Sequence, residues 1–237
     1  MKKLLVIAAA VLASVQFAAA QTNLQTFYDL GRGYATTTVE MFKGDKWGNT
    51  FFFIDHYYPT SADRNNPARS AINGSYYEIE RALNFWSDSA LKDLSLHLEY
   101  DGSTWGNGVF CAGANYFFHS QDYKNTLNLY LMYEKMNGFG TTDLPLKFTA
   151  VCGLQDLFGL QGLRFSGFLD AWGNNTVYLD GSKTGFSILT EPQLWYNVGQ
   201  FFGCENLHIG GEVELSYNFA GNKGFMCNPC IGTKWVF

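Results

Sequence analysis

Carboxylates dominate the residues that could do chemistry, and many recur two positions apart. Glu78 and Glu80, Glu212 and Glu214, and Glu99 beside His97 share the parity of one face of an extended strand. The same phase carried along the chain puts eleven acids on that face: Asp29, Glu40, Asp55, Glu78, Glu80, Glu99, Glu134, Asp170, Glu191, Glu212 and Glu214. Lys147, Arg164 and Lys234 are the cations that join them. Three cations cannot pair eleven anions. Part of the acid set can be held in inter-strand ion pairs and hydrogen bonds; the rest must be hydrated or face a permeant. An interior of this sign repels phosphates and tolerates neutral or cationic solutes.

Six rings share the face: Phe51, Phe53, Tyr130, Phe168, Trp172 and Trp195. Stacking of a nucleobase on an aromatic ring is worth about 1–3 kcal/mol. Neighbouring carboxylates can accept hydrogen bonds from sugar hydroxyls. Rings that merely fill the interior are the alternative.

Other chemistry is less well supported. His97 and His208 share the acidic face, so a hydrolase built on them is one alternative; it lacks a Gly-x-Ser-x-Gly elbow and a serine next to a histidine in sequence. The five cysteines are Cys111, Cys152, Cys204, Cys227 and Cys230, an odd number that leaves at least one unpaired within the chain. Cys227-Asn228-Pro229-Cys230 has redox-motif spacing without a strand-to-helix context, and a disulfide across it is one option. No second Cys or His pair follows at zinc-finger spacing, so the sequence predicts neither a metal site nor a cofactor.

The elements that position these residues follow from the same alternation. Leu94, Leu96, Leu98 and Tyr100 alternate with Ser95, His97, Glu99 and Asp101; Leu127 to Tyr133 and Leu207 to Phe219 behave alike. Twelve such segments begin near Leu24, Tyr34, Gly48, Ser75, Leu94, Asn107, Asn125, Leu146, Leu160, Phe186, Asn206 and Cys227. Several reach the ~9–11 residues that cross a bilayer, against ~5–6 for an average soluble strand. Lipid cannot accept the acids, so they must line the interior. The expected fold is a single-domain, all-β transmembrane antiparallel barrel of twelve strands over residues 21–237. Pro192 interrupts the tenth strand and predicts irregular pairing there.

Composition agrees. The chain has 237 residues, 17% of them aromatic and 16% charged, with 25 Gly and 5 Pro. Disorder, coiled coil and helical bundle each need a different bias. Lys2 and Lys3, the apolar stretch Leu4 to Phe17 and Ala18-Ala19-Ala20 read as a secretory signal peptide over residues 1–20, rather than a single anchoring helix. Its removal moves the formal charge from −5 to −7, so no basic nucleic-acid footprint is present.

With both termini in the periplasm, the long connections Tyr58 to Gly74 and Met136 to Pro145 fall outside. Tyr100, Tyr133 and Tyr217 then mark an outer aromatic girdle, and Tyr116, Phe118, Tyr196, Trp235 and Phe237 an inner one. Ile231, Thr233, Trp235 and Phe237 resemble the C-terminal strand signature that the barrel assembly machinery recognises.

Phe27-Tyr28-Asp29-Leu30-Gly31, Thr36 to Phe42 and Asp45 to Asp55 resemble the Tsx-like nucleoside-specific channel family, and more closely a poorly characterised outer-membrane branch of it. The similarity is sharpest from Leu24 to Tyr57. It implies a monomeric barrel with a narrow pore, bathed in outer-membrane lipid and passing nucleosides. Asp29, Glu40, Phe51, Phe53 and Asp55 are the positions it carries over. The sequence therefore points to passive uptake of small solutes, and not to an enzyme. A plugged structural or partner-binding barrel and an outer-membrane hydrolase are the two alternatives.

Overall fold

The computed structural model describes residues 20–59, 74–106, 108–137, 143–178 and 180–237. The leader read at residues 1–20 lies outside this set apart from Ala20, as do residues 60–73 and 138–142 of the two long connections.

Alternation becomes structure throughout. The strands are β1 (Gln21–Asp29), β2 (Ala35–Asp45), β3 (Gly48–Tyr58), β4 (Gly74–Leu83), β5 (Leu94–Ser103), β6 (Gly108–His119) and β7 (Asn125–Asn137). They continue as β8 (Leu146–Leu154), β9 (Leu163–Val177), β10 (Lys183–Thr190), β11 (Gln193–Asn197), β12 (Leu207–Tyr217) and β13 (Phe225–Val236). Neighbours pair antiparallel, and β1 closes on β13 from Asn23–Val236 to Asp29–Cys230. Closure satisfies every ladder without leaving an edge, as lipid requires.

Thirteen strands make twelve positions around the ring. β10 and β11 occupy one position, both lying between β9 and β12. The break falls at Glu191-Pro192, where the ring nitrogen cannot donate. The expected irregularity at Pro192 is therefore observed. Side chains stitch part of the gap: Ser187 Oγ donates to the Asn218 carbonyl at 2.7 Å and Asn218 Nδ2 to Thr184 Oγ1 at 2.8 Å. An apolar dimple of about 140 Å³ lies beside the break, lined by Leu127, Phe165, Gly167 and Pro192 among others.

The molecule is inside-out relative to a soluble domain. Among the described residues, sixteen polar or charged ones are buried against seven apolar ones. Large apolar side chains such as Leu98, Leu131 and Ile79 are at least half exposed on the outer wall. That surface is stable only against hydrocarbon. Tyr100 packs on Phe110 at 4.6 Å and Tyr217 on Phe186 at 5.7 Å at one end. Tyr116 packs on Phe118 at 4.6 Å and Tyr196 on Phe201 at 6.0 Å at the end that holds the termini. No helix among the described residues is long and apolar enough to cross a membrane.

Cys227 and Cys230 belong to β13 rather than to a turn. Cys227 is exposed on the outer wall and Cys230 buried on the inner face, and both are free thiols. The option of a disulfide across Cys227-Asn228-Pro229-Cys230 is thereby corrected. Pro229 fits the strand because its carbonyl accepts from Leu30 N–H at the place where β1 leaves the ladder, so no donor is needed there.

Candidate functional site

Strand register places the acids in rows across the inner wall. Glu80 lies beside Glu99, Glu99 beside Cys111, and Cys111 beside Glu134. One step along, Phe53 faces Glu78 and Glu78 faces Asp101. Lys147 enters from β8 and serves two strands at once, β5 and β9. Its Nζ donates to Glu99 Oε1 at 2.7 Å and stands 3.4 Å from Asp170 and 3.6 Å from Asp101. Thr149 Oγ1 donates to Asp170 at 2.6 Å, and Tyr76 donates to Glu78 at 2.5 Å. His97 Nε2 lies 3.0 Å from Glu99 and 3.7 Å from Glu80, with its ring edge-on to Tyr130 at 4.7 Å. One lysine thus faces six carboxylates on this wall.

The opposite wall is built by β1, β2, β3 and the β10 to β13 seam. It starts from a turn. Asp29 Oδ1 accepts the N–H groups of Gly31 and Arg32 at 2.8 and 2.7 Å, an Asx-type turn that folds the hairpin back over the lumen. Gly31 packs close against Asn228, where a Cβ would stand 2.7 Å from Oδ1. The hairpin thereby aims Arg32 inward, to bond Asp29 and, at 2.7 Å, Glu214. Asn228 donates to the other Glu214 oxygen at 2.9 Å. Burial lowers the Arg32 pKa and its acidic neighbours raise it; the sum lies above the usual guanidinium value. Asp55, held by Thr38 at 2.5 Å, faces Glu191 and Glu212 closely enough for the like charges to act on one another. Glu40 accepts from Asn23 and Gln25 at 3.2 and 3.0 Å.

The predicted residues thus share one lumen but not one role. Phe51 and Phe53 stand 6.2 Å apart and Phe53 continues to Tyr76 at 5.9 Å, forming a partly buried strip with Asp55, Glu78 and Glu80. Glu80 keeps 18% of its side chain accessible deep inside the ring. Trp172 and Phe168 are half-buried on β9, and Arg164 is exposed at the end that holds the termini. Trp195 is only 1% exposed, wedged against Phe27 at 5.6 Å and covered by Lys234 at 4.6 Å, with Nε1 donating to Gln193 and Gln193 donating to Glu212. It fills the wall and offers no free stacking face.

Sequence reading misses two charged members. Asp101 is missing from the eleven acids although it has the parity of Glu99, and it lies near the end of β5 at 5% exposure. Arg32 lies in the β1–β2 turn, where alternation assigns no face; the Asp29-x-x-Arg32 spacing is the available signal. Among the described residues the interior therefore holds twelve carboxylates and four cations.

His97 on β5 and His208 on β12 stand on separate walls, and His208 bonds only the Asn206 carbonyl, at 3.3 Å, among the described residues. Pairing of β3 with β4 does bring a serine to a histidine: Ser75 Oγ lies 2.9 Å from His56 Nδ1 at the rim. Among the described residues no carboxylate bonds that imidazole, so the pair lacks the group that orients a catalytic histidine.

A family model described as a domain of unknown function, DUF5020, matches residues 20–237. The chain belongs to the DUF5020 family. No curated protein matches it by sequence. Among solved structures, this member of DUF5020 is similar to the NanC porin with a TM-score of 0.56 and 10% identity, over 90% of this chain and 98% of that one. It is also similar to the COG4313 outer membrane channel from Pseudomonas putida F1, with a TM-score of 0.50 and 10% identity, over 93% and 96% of the two chains. At such identity the likeness establishes a shared barrel fold, that of outer-membrane channels.

Proposed function

We propose that this protein is an outer-membrane channel for passive uptake of small neutral or cationic solutes, with nucleosides the candidate permeants. The excess of twelve lumen carboxylates over four cations carries the reading, because such a wall repels phosphates and admits neutral or positive groups. The partly buried strip of Phe51, Phe53 and Tyr76 beside Asp55, Glu78 and Glu80 suits a base and its ribose hydroxyls. The resemblance of the first three strands to the Tsx-like family supports the same permeant. Export through a leader at residues 1–20, assembly through the C-terminal strand ending at Phe237, and a monomeric state belong to this reading.

The test is a planar-bilayer recording of the refolded mature chain. Small cation-selective conductance steps are expected, reduced by added nucleosides and less so in Phe53→Ala. Silence in the bilayer rejects the channel. Conductance that nucleosides never reduce rejects the permeant alone. One observation favours a second reading, a closed barrel: Gln25, Asp29, His97, Met132, Ser187 and Trp195 are the largest fully buried side chains, and all point into the ring. Silent bilayers with correctly folded protein are its expected result.

A further inference from the structure

The row of ligating side chains on β4 to β7 has a use that solute passage does not require. We propose that Glu80, His97 and Glu99 form a zinc-class divalent cation site in the lumen wall. The three side chains place their ligand atoms within 4.8 Å of one another. Metal–ligand distances of about 2.0–2.2 Å put two ligand atoms of a tetrahedral site about 3.4 Å apart. His97 Nε2 stands 3.0 Å from Glu99 Oε2 and 3.7 Å from Glu80 Oε2, so the spacing brackets that value before any side chain moves.

A second observation is independent of this geometry. Two carboxylate oxygens beside the triad, Asp101 Oδ1 and Glu134 Oε1, are buried without a hydrogen-bond partner, in residues 5% and 2% exposed. Burying such a group unsatisfied costs about 1–3 kcal/mol. Asp101 lies two residues along β5 from Glu99, and Glu134 lies across Cys111 from it, so both border the triad. Lys147 is the cation of this wall and is already engaged with Glu99, Asp101 and Asp170. A divalent cation adds the missing positive charge.

The donor set selects its class. One imidazole nitrogen with two carboxylates suits zinc and its first-row neighbours, whereas calcium and magnesium take six or more oxygens. Three protein ligands leave the fourth position open to the lumen. The accessible edge of Glu80 supplies the way in.

The experiment is a calorimetric titration of the refolded mature chain in detergent micelles with zinc chloride, and with magnesium chloride at the same concentration. One saturable zinc per chain is expected, and no saturable magnesium. Cobalt should give the visible absorption of a tetrahedral nitrogen–oxygen site. Glu80→Gln keeps the shape of a largely buried side chain and should weaken zinc at least tenfold; His97→Gln should do the same and abolish the cobalt bands. Lys223→Ala, in an exposed turn, should change nothing. Glu99 also belongs to a second compact group with Asp101 and Cys111. Cys111→Ser therefore decides between the two: weakening there, with Glu80→Gln and His97→Gln unaffected, overturns the assignment. So does the absence of saturable zinc binding by protein whose strand content and heat-shifted gel mobility prove it folded. Binding needs no conduction, so a silent barrel that binds zinc rejects the channel and keeps the site.

Discussion

Replacing Lys147 by methionine removes the shared cation of one wall while keeping most of its volume. The ammonium is 7% exposed and lies 2.7, 3.4 and 3.6 Å from Glu99, Asp170 and Asp101, which are no more exposed than 10%. At an effective dielectric of about 20, each contact is worth roughly 5 kcal/mol of Coulomb energy. Desolvation of four ions offsets most of that gain. The measurable quantity is the cost of stranding the carboxylates, about 3–5 kcal/mol when one partner of a buried pair is deleted. With an m-value of about 2–3 kcal/mol per molar urea, the midpoint should fall by roughly 1–2 M. Urea titration of the barrel refolded into short-chain lipid vesicles, followed by tryptophan fluorescence, reads this shift. The double variant Lys147→Met/Glu99→Gln should recover part of the loss, because one stranded charge is then gone. A loss below about 1 kcal/mol, the value of an exposed pair, refutes the reasoning. It would mean that lumen water screens this wall as well as bulk solvent does.

Three further outcomes follow from named contacts. Arg32→Ala frees Asp29 and Glu214 at the mouth, so single-channel conductance should rise and cation selectivity sharpen; unchanged steps would show that the hairpin does not obstruct the path. Gly113 has no room for a methyl, since a Cβ would stand 2.1 Å from the Leu131 carbonyl, and Gly113→Ala should cost about 1–3 kcal/mol in the same urea assay. In the β8–β9 turn, hydrogen bonding from Lys124 at 2.6 Å, then the Gly162 N–H, holds Asp156 below the usual carboxylate range. A lowered folded-state value stabilises above the ordinary Asp pKa and is lost as pH falls through the lowered one. Lys124→Ala should therefore move Asp156 back toward ordinary values in carboxylate NMR and lower stability at neutral pH, by the small amount an exposed pair contributes, with no effect below the lowered pKa.

Much of the fold is legible because a strand has the shortest repeat a chain can carry. Leu94 to Asp101 shows by parity alone which residues meet lipid and which meet the lumen. Pro192 is legible for a related reason: one missing donor is visible in the sequence. What escapes is whatever depends on register between strands. That Glu99 lies beside both Glu80 and Cys111, or Ser75 beside His56, is fixed by turn lengths and closure around the ring, not by local pattern. Arg32 escapes because a turn residue has no phase; Asp29, three residues earlier, decides which way it points. Trp195 has the right parity for a stacking platform, and only Phe27 from β1 and Lys234 from β13 reveal that its ring is already covered.

The interruption at Glu191-Pro192 makes the wall mechanically uneven. Elsewhere neighbouring strands share unbroken ladders, such as the run from Leu207–Trp235 to Tyr217–Phe225, in which many bonds must fail together. β10 meets β12 through only Ile188 to Thr190, and β11 through only Gln193 to Asn197. These short ladders fail separately and at lower load. Amide exchange should therefore be fastest along this one stave. When the surrounding bilayer thickens or thins, the cylinder has a preferred place to flex, and it lies beside Glu191 and Glu212, whose like charges act on one another.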